Sequence, residues 1–387
     1  MTQAKQTVSL GIIGIGNMGS SHAKNIVAGK IAGLTLTAVA DRNPVRRAWA
    51  AENLPGVTVV QEGDDLLDLP GLDAVLVAVP HYGHAPLSIR AMEKGLHVLC
   101  EKPVSVTTRL ARAMNEAADR TGRIFALMFN QRTNSLYRRM KEVMASGELG
   151  PMKRCSWIIT NWYRSQSYYD SGDWRATWAG EGGGVLLNQC PHNLDLWQWI
   201  CGMPDKVLAI CHEGKWHDIE VEDDVTAYVE YPNGATGTFI TSTADAPGTN
   251  RFEILCDGGK LVLENDILQL YRLETPERQF NATYQGGFGA PGHTIETLTT
   301  DGSNPQHLGV LQAFADAILC GTPLVADGRE GILSLSLSNA MHLSGWLGQM
   351  VTLPLDEARF EAQLQTKIAG SRHKSAQTTV LSLEQSW

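Results

Sequence analysis

Two residues far apart in the chain carry reactive groups in settings that look placed. Lys102 ends the half-buried run H-V-L-C-E-K-P, and His192 follows the run G-G-G-V-L-L-N-Q-C-P-H. Burying an ammonium is costly unless something nearby needs its charge, and Pro103 stops the strand directly after it. A cation there can stabilise a developing alkoxide. An imidazole, with a free pKa near 6.5, is the natural general base for a hydroxyl proton. Asn188 lies four residues before His192, so the two share a face if the segment is helical. Pro191 is tolerated only in a first helical turn, so Asn188 is alternatively the N-cap. Its amide can orient a substrate but cannot share a proton.

G14-I-G-N-M-G19 supplies the second chemistry. Gly14 permits a tight turn, Gly16 lets a pyrophosphate approach the backbone, and Gly19 lets a helix pack on a strand. Asn17 and Met18 lie inside the turn. The motif follows the strand-like V-S-L-G-I-I, opens a helix-like segment, and precedes Asp41, which ends the next apolar run. That context is what a dinucleotide fingerprint requires. Asp41 accepting from ribose hydroxyls favours NAD, whereas Arg42 can stack on adenine or pair with a 2′-phosphate, which keeps NADP as the alternative. In an open parallel sheet ligands gather at the carboxyl ends of the strands. Pro80, His81, Glu101 and Lys102 fall there, with His84 close by, and are expected cofactor contacts. His81 and His84 do not read as metal ligands: H-E-x-x-H, C-x-x-C and a neighbouring carboxylate at ligand spacing are all missing.

Seven aromatics lie between Trp157 and Trp178: Trp157, Trp162, Tyr163, Tyr168, Tyr169, Trp174 and Trp178. With Asn161, Arg164, Asp173 and Arg175 among them, they suggest a wall that stacks on a sugar ring and hydrogen-bonds its hydroxyls.

The elements that must position these groups follow from pattern. Up to about Phe129, apolar runs alternate with helix-like segments (V-S-L-G-I-I, L-T-L-T-A-V-A-D, V-T-V-V, L-D-A-V-L-V-A-V-P, H-V-L-C-E-K-P, I-F-A-L-M-F), which predicts a doubly wound parallel sheet. Beyond that, strands alternate with period two around turn signals such as Y-P-N-G and C-D-G-G. V-T-A-Y-V-E-Y, G-T-F-I-T-S and G-K-L-V-L-E read as neighbours in one antiparallel sheet. The fold class is α/β: a Rossmann-type domain over 1–128, then an α+β domain over 129–387 with a large open, mostly antiparallel sheet. The polar stretch from Thr366 reads as a loose tail or an arm on a partner.

The chain's 387 residues suit two domains, and 43% hydrophobic with 19% charged residues excludes disorder. A net charge of -9 without a basic run argues against a nucleic-acid partner. Seven scattered cysteines without C-x-x-C fit a reduced, cytoplasmic setting. M-T-Q-A-K-Q-T lacks the apolar core of a signal peptide, and no apolar run approaches the roughly 18 residues of a membrane span.

The glycine motif, the E-K-P strand end, F-N-Q-R-T-N-S-L-Y-R-R-M-K-E-V-M-A-S-G-E-L-G and W-R-A-T-W-A-G-E-G-G-G-V-L-L-N-Q-C-P-H together resemble the Gfo/Idh/MocA family (glucose-fructose oxidoreductase, inositol dehydrogenase, rhizopine catabolism), from about Val8 to about Leu355. The resemblance implies NAD(P)-dependent oxidation of a sugar or cyclitol hydroxyl and an open sheet that mediates homo-oligomerisation, as a dimer or tetramer. It gives Lys102 the place of the catalytic lysine and His192 that of the catalytic histidine; Asn188 departs from the commoner aspartate. Asn130, Gln131 and Arg132 match positions near the nicotinamide, and His307 is a further pocket candidate. The expected substrate contacts are Lys102, Arg132, Trp162, Tyr163, Arg164, Trp174, Arg175, Asn188, His192 and His307. Some relatives use transient oxidation to eliminate an aglycone, so glycoside cleavage stands beside net dehydrogenation.

Overall fold

The computed structural model describes residues 6–372 and 374. Six strands come first: β1 (Val8–Ile13), β2 (Leu34–Ala40), β3 (Thr58–Val60), β4 (Ala74–Val77), β5 (His97–Cys100) and β6 (Phe125–Leu127). They form one sheet in the order β3-β2-β1-β4-β5-β6, and every pairing in it is parallel. The continuous apolar runs are the cause: Ala74, Val75, Leu76 and Val77 are each fully buried, as a strand covered on both faces demands. The helices between the strands are written in local sequence. Thr107 caps Thr108–Thr121 by accepting from the Leu110 amide, Ala111, Met114, Ala117 and Ala118 form its buried stripe, and Gly122 ends it at φ 65°.

The second sheet has nine strands: β7 (Met152–Ile159), β8 (Lys206–Glu213), β9 (Glu222–Glu230), β10 (Thr236–Ser242), β11 (Asn250–Cys256), β12 (Gly259–Glu264), β13 (Ile267–Leu273), β14 (His293–Thr297) and β15 (Val351–Thr352). Their order is β14-β13-β12-β11-β7-β10-β9-β8-β15. All pairs are antiparallel except β7 with β10. The expected neighbours β9 and β10 do pair, but β12 is separated from β10 by β7 and β11. Strand β7 enters from the hinge segment and pairs parallel with β10 through Trp157 and Phe239, a long-range insertion that local turn signals cannot register.

Period-two alternation then sorts this sheet's faces. Inward, Trp157 stacks on Phe252 at 4.2 Å and Trp197, from the helix Pro191–Cys201, stacks on Phe239 at 5.1 Å. Outward, Ile158, Leu208 and Ile210 are exposed. Trp157 is turned into the core by this alternation, and Tyr169 and Trp178, which lie outside the strands, are buried by packing, so the three are core residues rather than part of a sugar-facing wall.

The chain crosses between the sheets more than once. The helix Gln306–Cys320 returns to the first sheet, where Val310, Leu311 and Phe314 pack in one cluster with Val8, Leu10 and Ile12. The expected loose tail begins as helix, since Glu357–Ala369 includes Thr366; Arg372 then holds Glu220 and Asp218, and the rest lies outside the described residues except Lys374.

Arg132 is a correction to the expected substrate contacts. Its side chain is 3% exposed, and its Nε and Nη2 donate to both Asp195 oxygens at 2.7 Å while Nη1 pairs with Glu330. The guanidinium also lies over Phe129 and Trp199. Three of its five N–H donors are committed to Asp195 and Glu330, which ties the turn Asn130–Thr133 to the helix Pro191–Cys201, so the fork serves the fold. Removing one member of a buried pair strands the other charge. Arg132→Met is expected to cost about 3–5 kcal/mol in chemical denaturation, and Arg132→Met with Asp195→Leu less than Arg132→Met alone; a single-variant loss below about 1 kcal/mol would show that the fork is not needed.

Candidate active site

The glycine turn has the shape its spacing predicts. A Cβ on Gly14 would lie 2.5 Å from the Ala78 carbonyl oxygen, and one on Gly19 only 1.9 Å from that of Gly14. A Cβ on Gly16 would meet nothing within 4 Å, which leaves an open approach to the backbone. Gly16 also precedes the helix Asn17–Val27 without a side-chain cap, so the amides of its first turn face that opening. Asn17 accepts from Arg46, and Met18 is half-buried in the turn. Asp41 accepts from the Ile15 amide at 2.7 Å and the Asn43 amide at 2.8 Å, which fixes its carboxylate beside the turn. Arg42 is paired with Glu62 at 2.8 Å and highly exposed. These residues fit a dinucleotide.

At the same sheet edge, β4 and β5 deliver Pro80-His81 and Glu101-Lys102. Pro80 is exposed, while His81 is buried with Nδ1 2.9 Å from the Glu181 carbonyl oxygen. His84 is a second correction: 1% exposed, it sets Nδ1 and Nε2 at 2.7 and 2.8 Å from the Pro103 and Val79 carbonyl oxygens. Both ring nitrogens are turned to buried main-chain carbonyls at the two strand ends, the ring donating to one of them when neutral, so neither is presented to a cofactor.

Lys102 Nζ donates to the Asn188 carbonyl oxygen at 2.6 Å. Burial pushes its pKa down from the ordinary lysine value; Glu101 and Glu181 pull it back up, and Arg164 and Arg175 push it down further. Burial also opposes the Glu101 charge, but a 2.7 Å bond from His22 and the field of His22, His307 and Lys102 hold that carboxyl at about 2. His307 stands 5.4 Å from the His22 ring, and burial lowers its pKa to about 4. Asn130 and Gln131 approach through Gln306.

His192 is the second residue of its helix, directly after Pro191 at N1. Burial first, then the charges of Lys102 and His307, drive its pKa well below 6.5. Its Nδ1 has no hydrogen-bond partner among the described residues, so no carboxylate is bonded to it as in a triad, and the charge of Glu101 raises its proton affinity less than burial lowers it. The imidazole is neutral at neutral pH and sits in the field of the Lys102 ammonium. Asn188 is neither on that helix nor its cap, since Cys190 holds the N-cap position. Instead its Nδ2 donates to Glu181.

The loop carrying Asn188 is wound around one buried anion. Glu222 accepts from the Gly184 and Leu186 amides at 2.9 and 3.0 Å, with His342 Nε2 at 3.0 Å and both side chains fully buried. A Cβ on Gly184 would lie 2.0 Å from the Glu222 carbonyl oxygen, so glycine is required. Sequence reasoning missed Glu181, Glu222, His342 and His22; the G-G-G run, a sign of close backbone approach, was the available signal for the first two.

Five of the aromatic-segment residues form a ladder. Arg164 lies over Trp162 and Tyr168, and Arg175 over Tyr168 and Trp174, at 4.4 to 5.7 Å from the ring centroids. Trp162 is tethered to Asn193 at 3.0 Å and Trp174 lies 5.9 Å from His81, so the ladder spans from the His192 helix to the cofactor edge. Tyr163 is half-exposed beside it.

Known proteins match this arrangement. The family model "Oxidoreductase family, NAD-binding Rossmann fold" covers residues 8–129, and "GFO/IDH/MocA C-terminal domain" covers 137–262. Inositol 2-dehydrogenase of Rubrobacter xylanophilus is 29% identical over 349 residues, 87% of this chain and 90% of that protein. Levoglucosan dehydrogenase of Pseudarthrobacter phenanthrenivorans is 25% identical over 367 residues, 84% and 93%. The structure of the WlbA dehydrogenase from Chromobacterium violaceum with NADH and UDP-GlcNAcA superposes with a TM-score of 0.78 at 26% identity, over 92% of this chain and 98% of that one. With both domains matched, the glycine turn and E-K-P lysine at one sheet edge and the His192 helix beside them, the chain belongs to the Gfo/Idh/MocA family of NAD(P)-dependent oxidoreductases.

Proposed function

We propose that this enzyme oxidises a ring hydroxyl of a sugar, glycoside or cyclitol, with NAD as the preferred cofactor. The observation that carries the reading is the pairing of a desolvated Lys102 with a neutral, buried His192 at the edge where the glycine turn opens. The bound nicotinamide would supply the hydride acceptor. His192 takes the hydroxyl proton, and Lys102 stabilises the oxyanion as it forms. Asn188 orients the substrate, and the ladder of Trp162, Arg164, Tyr168, Arg175 and Trp174 supplies apolar faces and donors for a carbohydrate ring. Glu62 supports NAD, because a 2′-phosphate near Arg42 would have to displace its carboxylate. The relatives act on chemistry of this kind: inositol, levoglucosan and a UDP-sugar are in their names. The exposed isoleucines and leucine on the open sheet face support association into a homo-oligomer. No helix among the described residues is long and apolar enough to cross a membrane.

Lys102→Ala is expected to keep cofactor affinity within several-fold and to lower turnover about a hundredfold or more, as for a lost oxyanion donor; equal turnover would remove Lys102 from the mechanism. Because burial depresses the proton affinity of His192, its base form persists as pH falls through 6.5. The acid limb of kcat/KM for the wild type should therefore lie below pH 6.5, and His192→Ala should abolish it; a surviving limb would assign another base. A panel of sugars, inositols and glycosides, followed by absorbance and by free aglycone together, separates the two chemistries. Stoichiometric NADH is the expected result, whereas aglycone released without net NADH would mean oxidation and elimination.

A further inference from the structure

Glu181 lies inside the site, and nothing above gives it a task. Its residue is 2% exposed. Oε2 accepts from the Ala176 amide at 2.6 Å, Oε1 accepts from Asn188 Nδ2, and its main-chain carbonyl faces His81 Nδ1 at 2.9 Å. Lys102, Arg175 and Glu222 are the charges around it, yet among the described residues it forms no ion pair at contact distance. Burial raises its pKa. A carboxyl held this way is costly unless its partners depend on it.

Asn188 is that partner, and it is gripped from both sides. Lys102 donates to its main-chain carbonyl oxygen at 2.6 Å, and Glu181 occupies its side-chain NH2. An amide has one donating end and one accepting end, so committing Nδ2 to Glu181 leaves Oδ1 as the end available elsewhere. Lys102 and Glu181 are thus joined through a single residue.

We propose that Glu181 is a positioning residue: as a carboxylate it holds the Asn188 amide with its oxygen toward the substrate, and it supplies negative charge that keeps Lys102 an ammonium. The substrate hydroxyls then meet an acceptor at Asn188 and a donor at Lys102. This role rests on the polyol-oxidation reading given above.

The test exchanges donor and acceptor. In Glu181→Gln, the new amide oxygen still accepts from Ala176, but the new NH2 donates toward Asn188 and turns its amide over. In Asn188→Asp, two carboxylates face each other. In the double variant the introduced glutamine amide donates to the introduced aspartate carboxylate, so the hydrogen bonds are whole again and one carboxylate remains beside Lys102. Each single variant is expected to lose at least about tenfold in kcat/KM, and the double variant to recover to within several-fold of wild type. Wild-type kinetics in Glu181→Gln, or a double variant no better than the worse single one, would overturn the proposal. Asn188→Asp and the double variant carry the comparison if Glu181→Gln does not fold. A second readout needs no turnover: an NMR titration of 13C-labelled lysine, with Lys102 assigned by its alanine variant. Glu181→Gln is expected to move the Lys102 midpoint down by about one pH unit. An unmoved midpoint overturns the proposal, even if no polyol proves to be a substrate.

Discussion

The bond from Lys102 Nζ to the Asn188 carbonyl is the constraint on which the site is built. It fastens the end of β5, in the nucleotide-binding sheet, to the loop wound around Glu222 in the other domain. An ammonium taken out of water needs such an acceptor, and the loop supplies one because Gly184 lets the backbone close on Glu222. A second tie, between His81 and the Glu181 carbonyl, runs in parallel. The proposed chemistry would therefore sit at a seam between the two sheets rather than on a free loop, with packing on both sides to set its geometry.

Desolvation does different work on each group along that seam. It lowers the proton affinity of Lys102, His192 and His307 and raises that of Glu181. Glu101 escapes the trend because His22, a residue of the helix under the glycine turn, bonds to it directly. One buried anion and one half-buried cation thus stand side by side in the E-K-P turn, each with its own partner. Groups whose environments push their pKa values apart are those that can divide acid, base and electrostatic duties.

Much of this was legible in the sequence, for reasons that are local. The apolar runs pointed to the parallel sheet because inner strands buried on both faces need apolar residues at successive positions, and the three glycines carry their steric requirements in their spacing. Lys102 was legible because Pro103 fixes where its strand stops. What failed was long-range. Arg132 looks like a donor for substrate until Asp195 and Glu330 are brought to it, and His84 looks like a ligand until two carbonyls close on its ring. Trp157, Tyr169 and Trp178 share a composition with the ladder residues, but β-strand parity and core packing turn them inward. Glu181 was hidden in a glycine run whose fold depends on a glutamate far along the chain.

The proposed oxidation requires an amine and an imidazole to address the same substrate atom. A crystal structure of the enzyme with NADH and a bound polyol tests this directly. Lys102 Nζ and His192 are predicted to lie within about 3.2 Å of one hydroxyl oxygen whose carbon faces the nicotinamide. A polyol held with that hydroxyl against other side chains, and with the two nitrogens on separate groups or on none, would contradict it.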